Sequence, residues 1–407
     1  MTDIAKPRLR FFEESSGQRH IQPGDHYLYS KRAPTHRVNV IGTGTIGIEH
    51  MRVAAMLGRV AVNGIFDTQR ESMAVASEEF ARHSADTLQH YDSLDAACND
   101  DAVDALMICT PNYTHIDVLE VAAKSGKPIF LEKPMATTLA DAKRICEIAA
   151  TYPSFIQVGL QYRYKAPYVE ARHEALERNS LGRVHMLSMA EYRPPFLDKV
   201  GQWNKFNAKS GGTLVEKCCH YFDLLTLLAQ GRPTRVYASS GQAVNFTDFE
   251  YQDVESDIHD HAFVIIDYDN NVRASFTLNM FCPQFREELT VCGELGRLTA
   301  TESFDFQRDD VARSEVAVEL GEMGASRRTE LGYTRAVDQS GHHGATWFEH
   351  VAFADQLAGR AADAATPLEG LWSIVIAAAA QNSAASGVPT DIETLVSEHG
   401  LDGLLNK

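Results

Sequence analysis

Three groups of residues have the types and spacing that chemistry needs. The first is Lys133, which follows the apolar run PIFL and Glu132 and precedes Pro134. Such a lysine lies at the carboxyl end of a buried strand, where open α/β folds bind ligands. Partial desolvation is expected to lower its pKa and make it a proton partner or hydrogen-bond donor. The competing reading is a surface lysine at a strand end. The second group is Glu216-Lys217-Cys218-Cys219-His220, running into YFDLLTLL. On a helix, residues four apart share a face. A carboxylate at Glu216 is then expected to hold one imidazole nitrogen of His220, leaving the other to exchange a substrate's hydroxyl proton. Zinc on Glu216, a cysteine and His220 is an alternative, disfavoured because Cys218 and Cys219 point to different helix faces without a second ligand cluster. A purely packing role for His220 is another. No metal is expected. The third group is Gly42-Thr43-Gly44-Thr45-Ile46-Gly47, which closes a strand and opens a helix, with Asp67 twenty residues after Gly47. In that setting the glycines give a tight turn, close approach to a pyrophosphate and close helix–strand packing, and the helix N-terminus at Thr45 and Ile46 faces the phosphates. Asp67, with Thr68 beside it, is placed to accept hydrogen bonds from the adenosine ribose. It would repel a 2′-phosphate, so NAD is expected over NADP, with Arg70 a partial offset.

These groups need a scaffold, and its pattern is readable. RVNVIG is a buried strand followed by a helix to about Leu57, and VAVNGIFD is a second strand. Further strands are expected near His90, at 105–110, within 128–134 and at 155–160, with helices between them through about Lys124 and over 137–151. Alternating strands and helices predict a doubly wound parallel sheet, an α/β Rossmann domain over residues 35–160. Beyond it, strands at about 183–192, 233–240, 260–268, 272–281, 286–292 and 296–301 follow one another with turn signals between them. They predict an α+β second domain, residues 161–407, on an open, largely antiparallel sheet. Helices are expected at about 214–229, 344–358 and 367–386. Residues 303–343 lack clear periodicity and read as a mobile or oligomer-contacting excursion. Residues 1–34 read as a tail, or as an arm that buries Phe11, Phe12, Tyr27 and Tyr29 on a neighbouring subunit.

Composition narrows the class. A length of 407 residues predicts two domains, and 44% hydrophobic with 23% charged residues is ordinary for a globular chain. The formal charge of −17 argues against a nucleic-acid partner. Neither a membrane span nor a secretory signal is expected, since no run of about 18 apolar residues occurs and the first residues lack an apolar stretch. Seven cysteines without CxxC spacing fit free thiols in a reducing cytoplasm.

Taken together, VIGTGTIG, Asp67, CTPNYTH (109–115), LEKPMATT (131–138), VGLQYRY (158–164), GGTLVEKCCHYFDLL (211–225) and EGLWSIVIAAAAQNS (369–383) resemble the glucose–fructose oxidoreductase / inositol 2-dehydrogenase / MocA family from about residue 36 onward. The resemblance implies a Rossmann domain with a sheet-based second domain, assembled as a homodimer or homotetramer, acting with NAD on a sugar or cyclitol. It makes Lys133 the catalytic lysine and His220 the catalytic histidine. Glu216 falls where the family usually has aspartate, and Cys218 where it has a small residue. It further implies that Thr110, Pro111, Asn112 and His115 lie against the cofactor, with Glu132 and Gln161 on the nicotinamide side. Arg163, Tyr164, Trp203 and Asn204 are implied substrate contacts, the first by a fork of hydrogen bonds and Trp203 by stacking. His342 and His343 are further second-domain contacts, whereas His259 and His261 read as sheet residues. Two other function classes stay open: an NAD-dependent glycoside hydrolase that oxidises transiently, and a non-catalytic NAD sensor.

Overall fold

A computed structural model describes residues 33–305, 312–321 and 324–405. The expected arm, residues 1–34, lies almost wholly outside them. The first layer is a six-stranded parallel sheet. It is built from β1 (His36–Ile41), β2 (Val60–Phe66), β3 (Gln89–His90), β4 (Ala105–Ile108), β5 (Ile129–Glu132) and β6 (Ile156–Gly159), in the order β3-β2-β1-β4-β5-β6. The helices between them are α1 (Thr45–Leu57), α2 (Arg70–Ala81), α3 (Leu94–Asn99), α4 (His115–Ala122) and α5 (Leu139–Thr151). Every residue of β4, β5 and β6 is buried, as a strand covered by helices on both faces requires. α5 starts where Thr138 accepts a hydrogen bond from the Asp141 amide at 3.1 Å.

After the short helix α6 (Ala166–Arg172), the chain builds a nine-stranded sheet. Its strands are β7 (Val184–Tyr192), β8 (Pro233–Gly241), β9 (His261–Tyr268), β10 (Arg273–Asn279), β11 (Phe285–Gly293), β12 (Gly296–Phe304), β13 (Arg313–Leu320), β14 (Arg327–Leu331) and β15 (Thr390–Asp391), in the order β14-β13-β12-β11-β7-β10-β9-β8-β15. All neighbours are antiparallel except β7 and β10, which run parallel. Two expectations need correction. Among the described residues of 303–343 the chain is regular where no periodicity was expected: β13 and β14 extend the sheet there, with Val316 and Val318 turned inward between charged residues. The helix expected over 214–229 is two pieces, α7 (Thr213–Glu216) and α8 (Cys219–Ala229), broken at Lys217-Cys218.

The end of the chain returns to the first sheet. α9 (Ala345–Leu357) places Phe353 and Ala354 in the core that β1, β2 and β4 share. α10 (Pro367–Ser386) begins with Thr366 and Glu369 capping each other and Pro367 in its first turn, and lies between α5 and β8. Gly370 of α10 comes so close to Met135 that a Cβ would stand 2.8 Å from its Sδ. The Val158 amide donates to Ala365 O at 2.9 Å, so a late segment covers the edge of β6. Among the described residues no helix is long and apolar enough to cross a membrane, and all seven cysteines are free thiols.

Candidate active site

Strand order reverses between β1 and β4, so a crevice opens above their carboxyl ends. Gly42 turns there at φ +91°, and a Cβ would lie 2.7 Å from the Cys109 carbonyl. A Cβ on Gly47 would lie 2.1 Å from Gly42 O. Gly44 is different: nothing lies within 4 Å of the place its Cβ would take. The start of α1, with Thr45 and Ile46, therefore faces open space. Asp67 is fixed at the end of β2: one oxygen accepts from the Thr43 amide at 2.8 Å and hydroxyl at 3.1 Å, the other from the Gln69 amide at 2.8 Å. Thr68 is exposed beside it, and Arg70 turns to Asp92 at 3.5 Å instead of to Asp67. Thr110 Oγ1 and Gln161 Oε1 are buried without a hydrogen-bond partner among the described residues. An open helix N-terminus, a preset carboxylate and unpartnered polar atoms along one crevice fit a dinucleotide.

The loops beyond Thr110 and Lys133 hold each other. His115 is fully buried, with Nδ1 2.9 Å from Pro134 O and Nε2 2.9 Å from Thr110 O. Both ring nitrogens are thus engaged by the two loops, and the ring staples the crevice wall. Pro111 accepts from the Thr114 amide and hydroxyl, and Asn112 Nδ2 reaches Ser210 O in the second domain at 3.4 Å. Glu132 is buried, taking His50 Nε2 at 2.7 Å on one oxygen and the Lys133 amide at 2.9 Å on the other. The Lys133–Pro134 peptide is cis. Lys133 Nζ donates to Glu216 O at 3.1 Å. Burial pulls its pKa down, but the carboxylates of Glu216 and Glu132 prevail and raise it. The expectation of a lowered lysine pKa is thereby overturned: Lys133 is a charged donor.

His220 stands across from it, packed face to face on Tyr162 with ring centroids 4.0 Å apart and planes 9° from parallel. Burial pushes its pKa well below the ordinary histidine value, and the charges of Lys133 and Lys217 push the same way. The expected Glu216–His220 hydrogen bond is not formed: His220 Nδ1 is buried without a partner among the described residues. With the helix broken between the two residues, stacking orients this imidazole in place of a carboxylate. Tyr162 is itself fixed by Lys217, whose Nζ donates to the phenol at 2.6 Å and pairs with buried Glu191 at 3.1 Å.

Three implied substrate contacts are spent elsewhere. The Arg163 fork closes on Asp223, with Nε to Oδ2 at 2.7 Å, and reaches Glu369 at 2.9 Å. Tyr164 donates to Asp363 O at 2.6 Å, and Asn204 donates to Leu197 O at 2.9 Å. Trp203 is half-buried in the turn Val200–Lys205. His343 packs on Phe304, and burial with the nearby Lys165 charge brings its pKa to about 4. Its neighbour His342 is the one beside the stack, 6.4 Å from Tyr162 and held by Glu49 at 2.7 Å. Lys199, unmarked in the sequence, lies close enough to Lys133 that this charge, after burial, lowers its pKa. Sequence reasoning also missed Tyr162, Lys217 and a buried group formed by His50, Glu132 and Glu349. The GxGxxG helix carries His50 six residues after Gly44, and that spacing was an available signal.

The fold and site define a dinucleotide-binding oxidoreductase. Residues 36–160 match the profile described as "Oxidoreductase family, NAD-binding Rossmann fold", and residues 173–392 match its C-terminal alpha/beta domain. The chain belongs to the Gfo/Idh/MocA family. It is 26% identical over 198 residues to the rhizopine catabolism protein MocA of Rhizobium meliloti, covering 49% of this chain and 58% of that protein. To the myo-inositol 2-dehydrogenase of Thermotoga maritima it is 26% identical over 211 residues, 51% of this chain and 59% of the relative. The chain thus spans under two thirds of both. Among solved structures, levoglucosan dehydrogenase in complex with NADH and levoglucosan superposes with a TM-score of 0.71 at 19% identity, over 88% of this chain and 99% of that one. At that identity the likeness concerns the fold.

Proposed function

We propose that this protein is an NAD-dependent dehydrogenase that oxidises a hydroxyl-bearing carbon of a sugar or cyclitol. Residues 35–160 hold the coenzyme and residues 161–407 hold the substrate. The observation that carries this reading is His220: an imidazole kept neutral by burial and flanking cations, opposite Lys133, at the edge of a dinucleotide crevice. The relatives named for inositol and levoglucosan supply the substrate class. Asp67 favours NAD over NADP, since its carboxylate would face a 2′-phosphate.

NAD, when bound, accepts the hydride. The protein's part is to handle the hydroxyl proton. Lys133 donates a hydrogen bond to the substrate oxygen and stabilises negative charge as it develops there. His220 takes the proton, held edge-on to the crevice by the Tyr162 stack and free of a competing carboxylate. Glu216 keeps Lys133 charged and aimed. The uncovered face of the larger sheet carries exposed Met186, Tyr237, Phe263 and Ile265, an apolar patch suited to a homodimer or homotetramer. With free thiols throughout, the working compartment is the cytoplasm.

The test is NAD reduction across inositols, aldoses and anhydro sugars, followed by kcat/KM against pH. Net dehydrogenation accumulates NADH, whereas a transient-oxidation hydrolase releases sugar without it. Lys133→Ala and His220→Ala are each expected to keep NAD binding and lose about 10²–10⁴-fold in rate. Acting on one proton, the pair loses less together than the product of the singles. The acid limb of the wild-type profile belongs below the ordinary histidine pKa of about 6.5. If His220→Ala kept near-wild-type activity with the same profile, the histidine would be structural.

A further inference from the structure

Behind Lys133, three elements bring together an imidazole and two carboxylates, of which only Glu132 bears on the proposed reaction, through the charge of Lys133. His50 comes from α1, Glu132 from the end of β5 and Glu349 from α9, and one ligand atom of each lies within 4.8 Å of the others. All three side chains are buried, Glu349 completely. Both carboxylate oxygens of Glu349 lack a hydrogen-bond partner among the described residues. A buried polar group left unmade costs several times what a typical hydrogen bond contributes, so two such atoms on one side chain call for a partner.

The other contacts have the form of an outer shell. His50 Nε2 faces the cluster, and its Nδ1 lies 2.7 Å from His350 Nε2, which holds the ring orientation and can accept the Nδ1 proton of a neutral imidazole ligated through Nε2. The oxygen of Glu132 that does not face His50 accepts from the Lys133 amide. Histidine ligands held by a second group on the opposite nitrogen are the rule at metal centres. One neutral imidazole and two carboxylates balance the charge of a divalent ion and leave a coordination position open.

We propose that His50, Glu132 and Glu349 bind one divalent cation of the zinc class, which clips α1, β5 and α9 together behind the Lys133 loop. The ion takes the place of the proton between His50 Nε2 and Glu132 Oε1, now 2.7 Å apart. Metal–ligand bonds of about 2.0–2.2 Å at a tetrahedral angle need that gap to widen to roughly 3.4 Å, within reach of side-chain rotation. Glu349 supplies the third ligand.

The experiment uses the full chain, stripped with chelator and titrated with Zn²⁺ by calorimetry and with Co²⁺ by its visible absorption. One ion per chain is expected, with Co²⁺ bands of low-coordinate N/O type and a melting temperature that rises with Zn²⁺ concentration. Glu349→Gln and His50→Gln are each expected to weaken binding by about 100-fold or more, while Cys219→Ser binds like wild type. The melting shift of wild type needs no variant, so a misfolded mutant leaves the test intact. Absence of both binding and shift in the wild-type chain overturns the proposal. Undiminished binding in Glu349→Gln, or loss in Cys219→Ser, also overturns it by placing the ion elsewhere.

Discussion

Replacing Lys165 with methionine tests what holds the Tyr162–His220 ring stack from beneath. Lys165 Nζ lies 2.6 Å from Glu287 and 2.6 Å from Glu302, with all three side chains buried. It also sits 4.2 Å from the centre of the Tyr162 ring that carries His220. Tyr168 and Tyr221 donate to Glu287, so this carboxylate keeps partners in the variant, whereas among the described residues Glu302 keeps Ser314 at 3.3 Å. Breaking a buried ion pair from one side costs about 3–5 kcal/mol. For a chain of this size, at about 2 °C per kcal/mol, the melting temperature is expected to fall by about 6–10 °C. The loss has a pH signature. Burial already raises the Glu302 pKa while Lys165 opposes it, so without the lysine the carboxyl stays protonated in the folded chain over a wider range. A folded pKa above the unfolded value means the folded state binds more protons, and stability then falls as pH rises between the two. The deficit of Lys165→Met against wild type is therefore larger at pH 8 than at pH 5. Adding Glu302→Gln should recover part of it and flatten the pH dependence. Denaturant melts of the three proteins at both pH values decide the matter. A deficit under about 1 kcal/mol, or one equal at the two pH values, would refute the reasoning.

Two further outcomes concern the coenzyme. Gly44→Val has free space for its side chain where the pyrophosphate is expected, so calorimetry should show NAD affinity collapse with the melting temperature kept. Gly47→Val, whose Cβ would stand 2.1 Å from Gly42 O, should fail at folding instead. Asp67→Ala should narrow the kcat/KM gap between NAD⁺ and NADP⁺, and a wild-type preference for NADP⁺ would contradict the role given to that carboxylate.

The parallel sheet was legible because short, mostly apolar strands alternate with helix-like stretches, and buried runs such as ALMI and IFL admit few other readings. β13 escaped because RSEVAVEL shows only two valines among charges, and the alternation matters only beside its neighbours. The break at Lys217-Cys218 follows from packing against Tyr162 and Glu191, contacts that local periodicity does not encode. Arg163 is the clearest misreading. A guanidinium in a motif suggests a ligand until Asp223 and Glu369, far along the chain, are seen to occupy it. His50, Glu132 and Glu349 belong to three elements with no spacing in common, so only the fold assembles them. The coenzyme loop, by contrast, is a local device and could be read locally.

The return of α9 and α10 to the first sheet bears on synthesis at the ribosome. β1 to β6 are complete once residue 159 has emerged, yet Phe353 and Ala354 are still needed to fill their core and Ala365 to cover the edge of β6. The coenzyme half of the molecule is therefore the earliest to be made and the last to be finished. In the interval its apolar flank, bounded by Phe130 and Phe155, waits for partners roughly two hundred residues downstream. During that wait the flank stays uncovered, and excising the coenzyme half at residue 160 would make that exposure permanent.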